Sequence, residues 1–397
     1  MRLLHVAPSY LPAYRYGGLI YSVHGLCWAL AVRGHDVQVF TTNVDGPGDS
    51  DVPLGVPVEL NGVKVWYFPS RRLRRLYWSP AMGRALKAQA ASFDLLHLHS
   101  IYLWPTWAAA RAARQASVPY ILAPHGMLVQ DLIRRKSRWV KSAWIRLIER
   151  RNLEQAAALH LTSAAEAEAC RAFGFRLPPL VVVPYGVNLP AADIPGADQT
   201  HASPFAGLGG ILDEQPLILF LGRVNWEKGL DRLLQALVRV PGADLAIAGN
   251  DEEDYTPVLA ALAAELGIAD RVHFLGLVQG AAKEWLFRRA ALMVLPSYSE
   301  NFGNVVLEAL ARRCPVVVTP EVGLAGFVQE AGAGLVAAGD PKPLAAAIRK
   351  LLADPARREQ MGAAGEQAVR EQFAWEAVAE QMEAAYQRMM RARSRED

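Results

Sequence analysis

No uninterrupted apolar run in the 397-residue sequence approaches the ~18 residues that a membrane-spanning helix needs. The apolar start of "MRLLHVAPSYLP" is too brief for a signal peptide and reads as a first buried strand. Cysteine is scarce. Cys27, Cys170 and Cys314 are far apart, odd in number and form no C-x-x-C pair, so neither a disulfide framework nor a zinc site is expected. A reducing, cytoplasmic compartment is the matching expectation. No repeat of 20–50 residues and no low-complexity tract is present, which excludes solenoids.

Half of the residues are apolar and a fifth are charged, as in a soluble globular enzyme. The length exceeds what one ordinary core serves, so two domains are expected. Net charge is only +3, but it is unevenly placed. Between Ser70 and Arg151 sixteen basic residues face three acidic ones, so the rest of the chain is net acidic. Such polarity bears on partners.

Short runs rich in Val, Ile and Leu alternate with helical stretches: "RLLHVAP", "DVQVFTT", "VKVWYFP", "DLLHLHS", "PYILAPHG", "ALHLTS" and "LVVVPYGV". This is the pattern of βαβ units around a parallel sheet buried on both faces. A Pro-, Gly-, Ala- and Asp-rich stretch then reads as a linker at 191–215. The alternation restarts with "LILFLG" and continues through "GAGLVAA" and "PLAAAIRKLLAD". The expected layout is an N-terminal domain over 1–190 and a second doubly wound domain over 216–375. An amphipathic C-terminal helix over 376–397 follows. In open parallel sheets ligands sit beyond the carboxyl ends of the strands, so two such domains suggest a cleft.

Candidate chemistry clusters at those strand ends. Gly17 and Gly18 open a helix, where backbone amides suit a phosphate; a bare strand-to-helix turn is the alternative, and the full G-x-G-x-x-G pattern is missing there. In "LFLGRVNWEKG", Arg223 and Lys228 are placed to clamp a diphosphate, or else to pair with Glu227 and Asp231. In "AGNDEED", Asn250 and its acidic neighbours line a base pocket or cap the next helix, capping being favoured. His97 and His99 alternate on a strand and share a face. A third metal ligand at a usual spacing is not visible, so packed histidines are expected rather than a metal site. His125-Gly126 puts a polar ring at the substrate edge. In "SYSENFGNVVLEAL" two carboxylates are eight residues apart, Glu300 in a loop and Glu308 in the helix that follows. A carboxylate accepts two hydrogen bonds side by side and suits a vicinal diol; plain helix electrostatics is the alternative.

Together these segments resemble the retaining, nucleotide-sugar-dependent glycosyltransferases of the GT-B fold, in particular the large group-1 (GT4-like) family. The likeness runs almost end to end. The family's E-x7-E element matches Glu300 to Glu308, its G-R-x-x-x-x-K-G element matches "GRVNWEKG", and its G-G loop matches Gly17-Gly18. Its H-G matches His125-Gly126 and its G-x-G-L-V turn matches "GAGLVAAGD".

The resemblance implies two Rossmann-like domains facing each other across a cleft, the first binding acceptor and the second binding nucleotide sugar. Arg223 and Lys228 would bind the donor diphosphate and stabilise it as leaving group. Glu308 would bind the ribose and Glu300 the donor sugar, with Asn301 and the amides of Phe302, Gly303 and Asn304 beside it. Gly17 and Gly18 would approach the diphosphate, Asn250 would line the donor site, and His125 would contact the sugar. The catalytic set is thus His125, Glu300, Arg223 and Lys228.

The anomeric configuration would be retained by same-face attack, a donor phosphate oxygen taking the acceptor proton. No metal and no cofactor beyond a UDP- or GDP-sugar is expected. The product class is cell-surface polysaccharide or glycolipid. Two departures touch details of donor binding. The family's N-G-V-D is "YGVN", with Tyr185 and Asn188, and "EVGLAGFVQE" has Gly326 near a common Glu.

Many acceptors in this family are lipid-linked. "RRLRRLYWSP" and "DLIRRKSRWVKSAWIRLIERRNL" mix basic with aromatic and aliphatic residues, so association with the anionic cytoplasmic leaflet is an expectation, a solvated basic surface the alternative. No motif supports nucleic acid. A GT-B nucleotide-sugar epimerase and a non-catalytic nucleotide-sugar-binding protein are the competing functions.

Overall fold

The computed structural model describes residues 1–128, 148–172, 174–190, 205, 215–251 and 253–393. Most of the expected linker, and most of the basic segment that starts at Asp131, lie outside the described residues. The chain divides into two compact units, Met1–Gly186 with Trp375–Asp397, and Val187–Ala374.

The first unit is built on β1 (Arg2–Val6), β2 (Asp36–Thr42), β3 (Pro57–Leu60), β4 (Val63–Phe68), β5 (Leu95–His99), β6 (Tyr120–Ala123), β7 (Ala158–Leu161) and β8 (Leu180–Val182). They form one sheet in the order β8-β7-β6-β5-β1-β2-β4-β3. All neighbours are parallel except β3, which pairs antiparallel with β4. That edge hairpin corrects the purely parallel reading. Its turn is Asn61-Gly62, both with positive φ, the conformation a two-residue hairpin needs.

Side chains alternate between two buried faces. Leu4, Val6, Leu96 and Leu98 pack beneath α2 (Pro80–Gln89) and α3 (Trp104–Gln115). Leu3, Val37, Val39 and Leu95 pack beneath α1 (Gly18–Val32) and the C-terminal helix Trp375–Arg393. The C-terminal helix thus belongs to the first unit. α1 stops where Gly34 takes φ 87°, a left-handed position that suits glycine. β1 lies between β2 and β5, so the chain turns opposite ways on leaving these strands, the topological switch point where such sheets bind ligands.

The second unit carries β9 (Leu217–Leu221), β10 (Asp244–Ala248), β11 (Val272–Gly276), β12 (Ala290–Leu295), β13 (Val316–Val318) and β14 (Gly334–Val336). Its sheet is wholly parallel, ordered β11-β10-β9-β12-β13-β14. β10 and β13 are buried throughout and β9 and β12 at all but one residue each, as continuous apolar runs require, while the edge strands β11 and β14 are partly exposed. Here the switch point falls between β9 and β12. Both units are thus Rossmann-like α/β folds.

Candidate active site

In the second unit the switch point gathers the sequence's charged motifs. Past β9 the chain runs through Gly222 and the exposed Arg223 into a short turn, Trp226–Lys228, before α4 (Leu230–Leu237). Two glycines make this edge possible. A Cβ on Gly249 would sit 1.7 Å from Gly222 O, so the loops after β9 and β10 meet backbone to backbone. Gly229 has φ 65°, and a Cβ there would sit 2.1 Å from Pro296 O. Val224 N donates to Asn250 O at 2.8 Å and Tyr298 N to Glu227 O at 2.8 Å, tying all three loops together.

The loop after β12 carries the first carboxylate. Glu300 N donates to Glu321 O and Gly323 N donates to Glu300 O, so the loop is clamped to its neighbour. The Lys228 ammonium forms an ion pair with the Glu300 carboxylate, the side chains 12% and 18% exposed. The two expected functional groups are thus partners, 72 residues apart in sequence. Gly303, φ 95°, caps α5 (Asn304–Leu310), on which Glu308 lies. Phe302 is buried and packs near Phe373, so only its backbone can face a ligand.

Glu308 has a partner that spacing did not suggest. Lys283, on the helix Gly280–Arg289, places Nζ 2.8 Å from both of its carboxylate oxygens. The expected pairing of Arg223 or Lys228 with Glu227 and Asp231 is not what forms at Lys228. Asp231 instead accepts from the Tyr298 hydroxyl at 2.8 Å.

Beyond the ends of β9, β10 and β11 lies a cavity of about 340 Å³, lined by Val224, Gly249, Asn250, Asp251, Phe274 and Leu277 among others. Of the two readings of "AGNDEED", the favoured cap is the one that forms. Asp251 caps the helix Thr256–Glu265, accepting from Tyr255 N at 2.8 Å and Thr256 N at 2.7 Å. Asn250 lines the cavity beside it.

In the first unit Gly17 has φ 70° and caps α1, with nothing near its Cβ position, while Gly18 begins the helix. His125 and Gly126 form a turn with φ 54° and 75°, closed by Met127 N donating to Pro124 O at 3.2 Å. A left-handed histidine is uncommon and is held here from outside. Gly126 N donates to Glu166 Oε1 at 2.5 Å. Glu166 is buried and also accepts from Thr162 N and Oγ1. Ser163 caps the helix Ala164–Arg171, which carries Glu166, by accepting from Glu166 N at 3.1 Å. Nothing in the sequence spacing points to this grip on a turn forty residues earlier.

His97 and His99 are buried with His5 and His160 on the face under the C-terminal helix. Ligand atoms of His5, His97 and His99 lie within 4.8 Å of one another, close enough to raise the question of a metal. Five of those six ring nitrogens already bond to other rings or to Tyr386, so the set reads as a packed polar network. Burial pushes His5 and His125 down to about 3 and His160 to about 4, and drives His97 and His99 well below the usual value. All five rings are therefore neutral at pH 7.

Comparison with known proteins matches this geometry at both ends. The family model for glycosyl transferases group 1 covers residues 209–368, and that for a glycosyl transferase 4-like domain covers 17–186. The D-inositol 3-phosphate glycosyltransferase of Xylanimonas cellulosilytica is 32% identical over 92% of this chain and 90% of its own. Sucrose-phosphate synthase from Thermosynechococcus elongatus superposes with a TM-score of 0.76 at 24% identity, over 99% of this chain and 100% of its own. HepE of Anabaena, in complex with UDP and glucose, superposes with a TM-score of 0.75 at 20% identity, over 97% and 99%. The chain belongs to the group 1 glycosyltransferases and has their GT-B fold.

Proposed function

We propose that the protein transfers a hexosyl-type sugar from a UDP- or GDP-sugar to a glycan or lipid-linked acceptor, with retention and without a metal, in polysaccharide or glycolipid synthesis. The observation that carries this reading is the Lys228–Glu300 pair at the carboxyl edge of the second sheet, beside a cavity sized for a nucleoside and eight residues before Glu308. The UDP and glucose in the HepE complex support a nucleotide-sugar donor. The acceptor oxygen bonds to the anomeric carbon as the bond to the diphosphate oxygen breaks on the same face. The acceptor's proton passes to that leaving oxygen. Arg223 and Lys228 stabilise the charge that develops there, the type of term that dominates many enzymes. Glu300 holds the sugar hydroxyls, Glu308 the ribose, and Asn250 the base side of the nucleotide. From the first unit, Gly17 and Gly18 serve the diphosphate and His125 the sugar.

A donor panel read by nucleoside-diphosphate release, followed by NMR of the product's anomeric centre, tests this. Inversion would sink the mechanism even with transfer confirmed, and release without transfer to any acceptor would return the epimerase reading.

We also propose that the basic first unit rests on anionic lipid. Arg71, Arg72 and Arg75 are exposed, and Leu73 between them is 64% exposed, a mixed basic and apolar tip. Flotation with anionic liposomes at low salt should carry the protein upward. Failure to float removes the proposal.

A further inference from the structure

Two hydrogen-bonded chains thread the buried histidines, and they differ in one respect. In the first, His160 Nε2 lies 2.8 Å from Val183 O, His160 Nδ1 3.2 Å from His97 Nε2, and His97 Nδ1 2.7 Å from the Tyr386 hydroxyl. A carbonyl only accepts, so His160 carries its proton on Nε2. His97 must then donate from Nε2, and Tyr386 must donate to His97 Nδ1. One proton arrangement is allowed.

The second chain runs from His5 Nδ1 to His99 Nε2 at 3.0 Å, from His99 Nδ1 to His125 Nε2 at 3.0 Å, and from His125 Nδ1 to the Tyr185 hydroxyl. Its rings are nearly coplanar, 16° and 6° between successive planes with centroids 5.2 Å apart. The centroid spacing exceeds the nitrogen spacing by about two ring radii, so the rings meet edge to edge, as N–H···N bonds require. No carbonyl anchors the deep end. His5 Nε2 is buried without a partner, and each direction of donation leaves that same atom unmatched. The direction is therefore set at the Tyr185 end. A phenol is a better donor than acceptor, and Tyr185 stays protonated because burial, then the Glu166 charge, raises it well above its ordinary value.

We propose that Tyr185 is a positioning residue for His125. Its hydroxyl donates to Nδ1, holds the imidazole as the Nε2–H tautomer, and with His99 on the opposite nitrogen fixes the ring plane. His125 then donates from Nε2 to His99 Nδ1, and His99 donates from Nε2 to His5 Nδ1. The grip is completed through the backbone, because the Glu166 carboxylate holds Gly126 N and keeps the His125 turn left-handed. The departure at Tyr185 thereby acquires a task. Both ring nitrogens are then engaged, so what His125 can present to a sugar is its C–H edge and the backbone of its turn, and a ring free to exchange tautomers or rotate would hold neither in one place. The importance of this for transfer rests on the proposed role of His125; the tautomer itself does not.

The test uses the full-length protein labelled with 15N-histidine, its ring nitrogens read by long-range 1H–15N correlation and His125 identified by loss of its signals in His125→Gln. The wild type should show His125 as a neutral Nε2–H ring. Tyr185→Phe should convert it to a tautomer mixture or to Nδ1–H, while UDP binding changes less than twofold. Tyr386→Phe should alter His97 and leave His125 as it was. With a donor that the wild type turns over, Tyr185→Phe should lower kcat about tenfold and shift donor KM less than twofold. A wild-type Nδ1–H pattern overturns the proposal even if the variant does not fold, as does an unchanged His125 in folded Tyr185→Phe. A changed tautomer with unchanged kcat overturns the positioning role and leaves glycosyl transfer standing. A wild type that transfers no sugar while its tautomer responds as stated sinks the transfer reading instead.

Discussion

Lys228 and Glu300 hold each other with little of either side chain exposed, so each substitution there acts on two groups. Lys228→Met removes the cation expected at the leaving diphosphate and strands the carboxylate expected at the sugar. Turnover should fall by about 10²–10³, as when one preorganised stabilising group is lost. A nucleoside-diphosphate release assay reads this, and a fall under tenfold would place Lys228 outside the transition state. Glu308 differs, because its proposed ligand is the ribose, bound alike in ground and transition states. Glu308→Gln should therefore raise donor KM more than it lowers kcat, and the reverse would mean that the two carboxylates have been assigned wrongly. The motif residues were legible because their chemistry follows from their place just past strand ends. Their partners were not. Lys283 meets Glu308 only through the packing of two helices, and His5, His125 and His160 join His97 and His99 only through inter-strand register. The alternation that put His97 and His99 on one face is local; register is not.

Among the elements, the C-terminal helix makes the most specific contact. The Trp375 indole occupies the space that two glycines leave empty: a Cβ on Gly25 of α1 would lie 2.1 Å from it, and one on Gly186 would lie 2.4 Å away. Gly25 has ordinary helical backbone, so Gly25→Ala tests space rather than conformation. It should destabilise the protein by about 1–3 kcal/mol, the usual cost of overpacking, despite alanine's higher helix propensity. Thermal melting would show it, and combination with Trp375→Leu should recover part of the loss. An increase in Tm would mean that the indole is not seated there. The helix itself was legible from its amphipathic pattern after Trp375. The β3–β4 hairpin was passed over although Asn61-Gly62 announces it, because β3 alternates intermediate and exposed residues and carries little apolar signal.

For the whole molecule, acid should act unevenly. Four buried histidines and the half-buried His125 are neutral in the first unit, and their pKa values lie below that of the unfolded chain. Such groups favour the folded state fully above the unfolded value near 6.5, and that contribution is lost as pH falls below it, because the unfolded chain then binds protons that the folded chain refuses. At pH 5 the loss is about 2 kcal/mol for each of His5, His125 and His160, and His97 and His99 add to it in the same direction. Together this is comparable with the ~5–15 kcal/mol that stabilises a typical domain. The first unit should unfold near pH 5 with steep proton uptake, while the second unit, without such a cluster among its described residues, persists. Hydrogen exchange measured against pH separates the two, and equal acid sensitivity would contradict the assignment.

The two-unit α/β layout was legible from the alternation of short apolar runs. The partition of the chain was less so, since the tail's return depends on Trp375 and Tyr386 finding partners laid down hundreds of residues earlier. That return also bears on synthesis. The second unit is a single continuous segment, Val187–Ala374, whereas the first contains both ends of the chain. On the ribosome the second unit has all its residues before the first does. The half translated earliest should therefore wait, with one face of its sheet uncovered, until the final helix emerges, and it is there that a nascent chain would most need a chaperone.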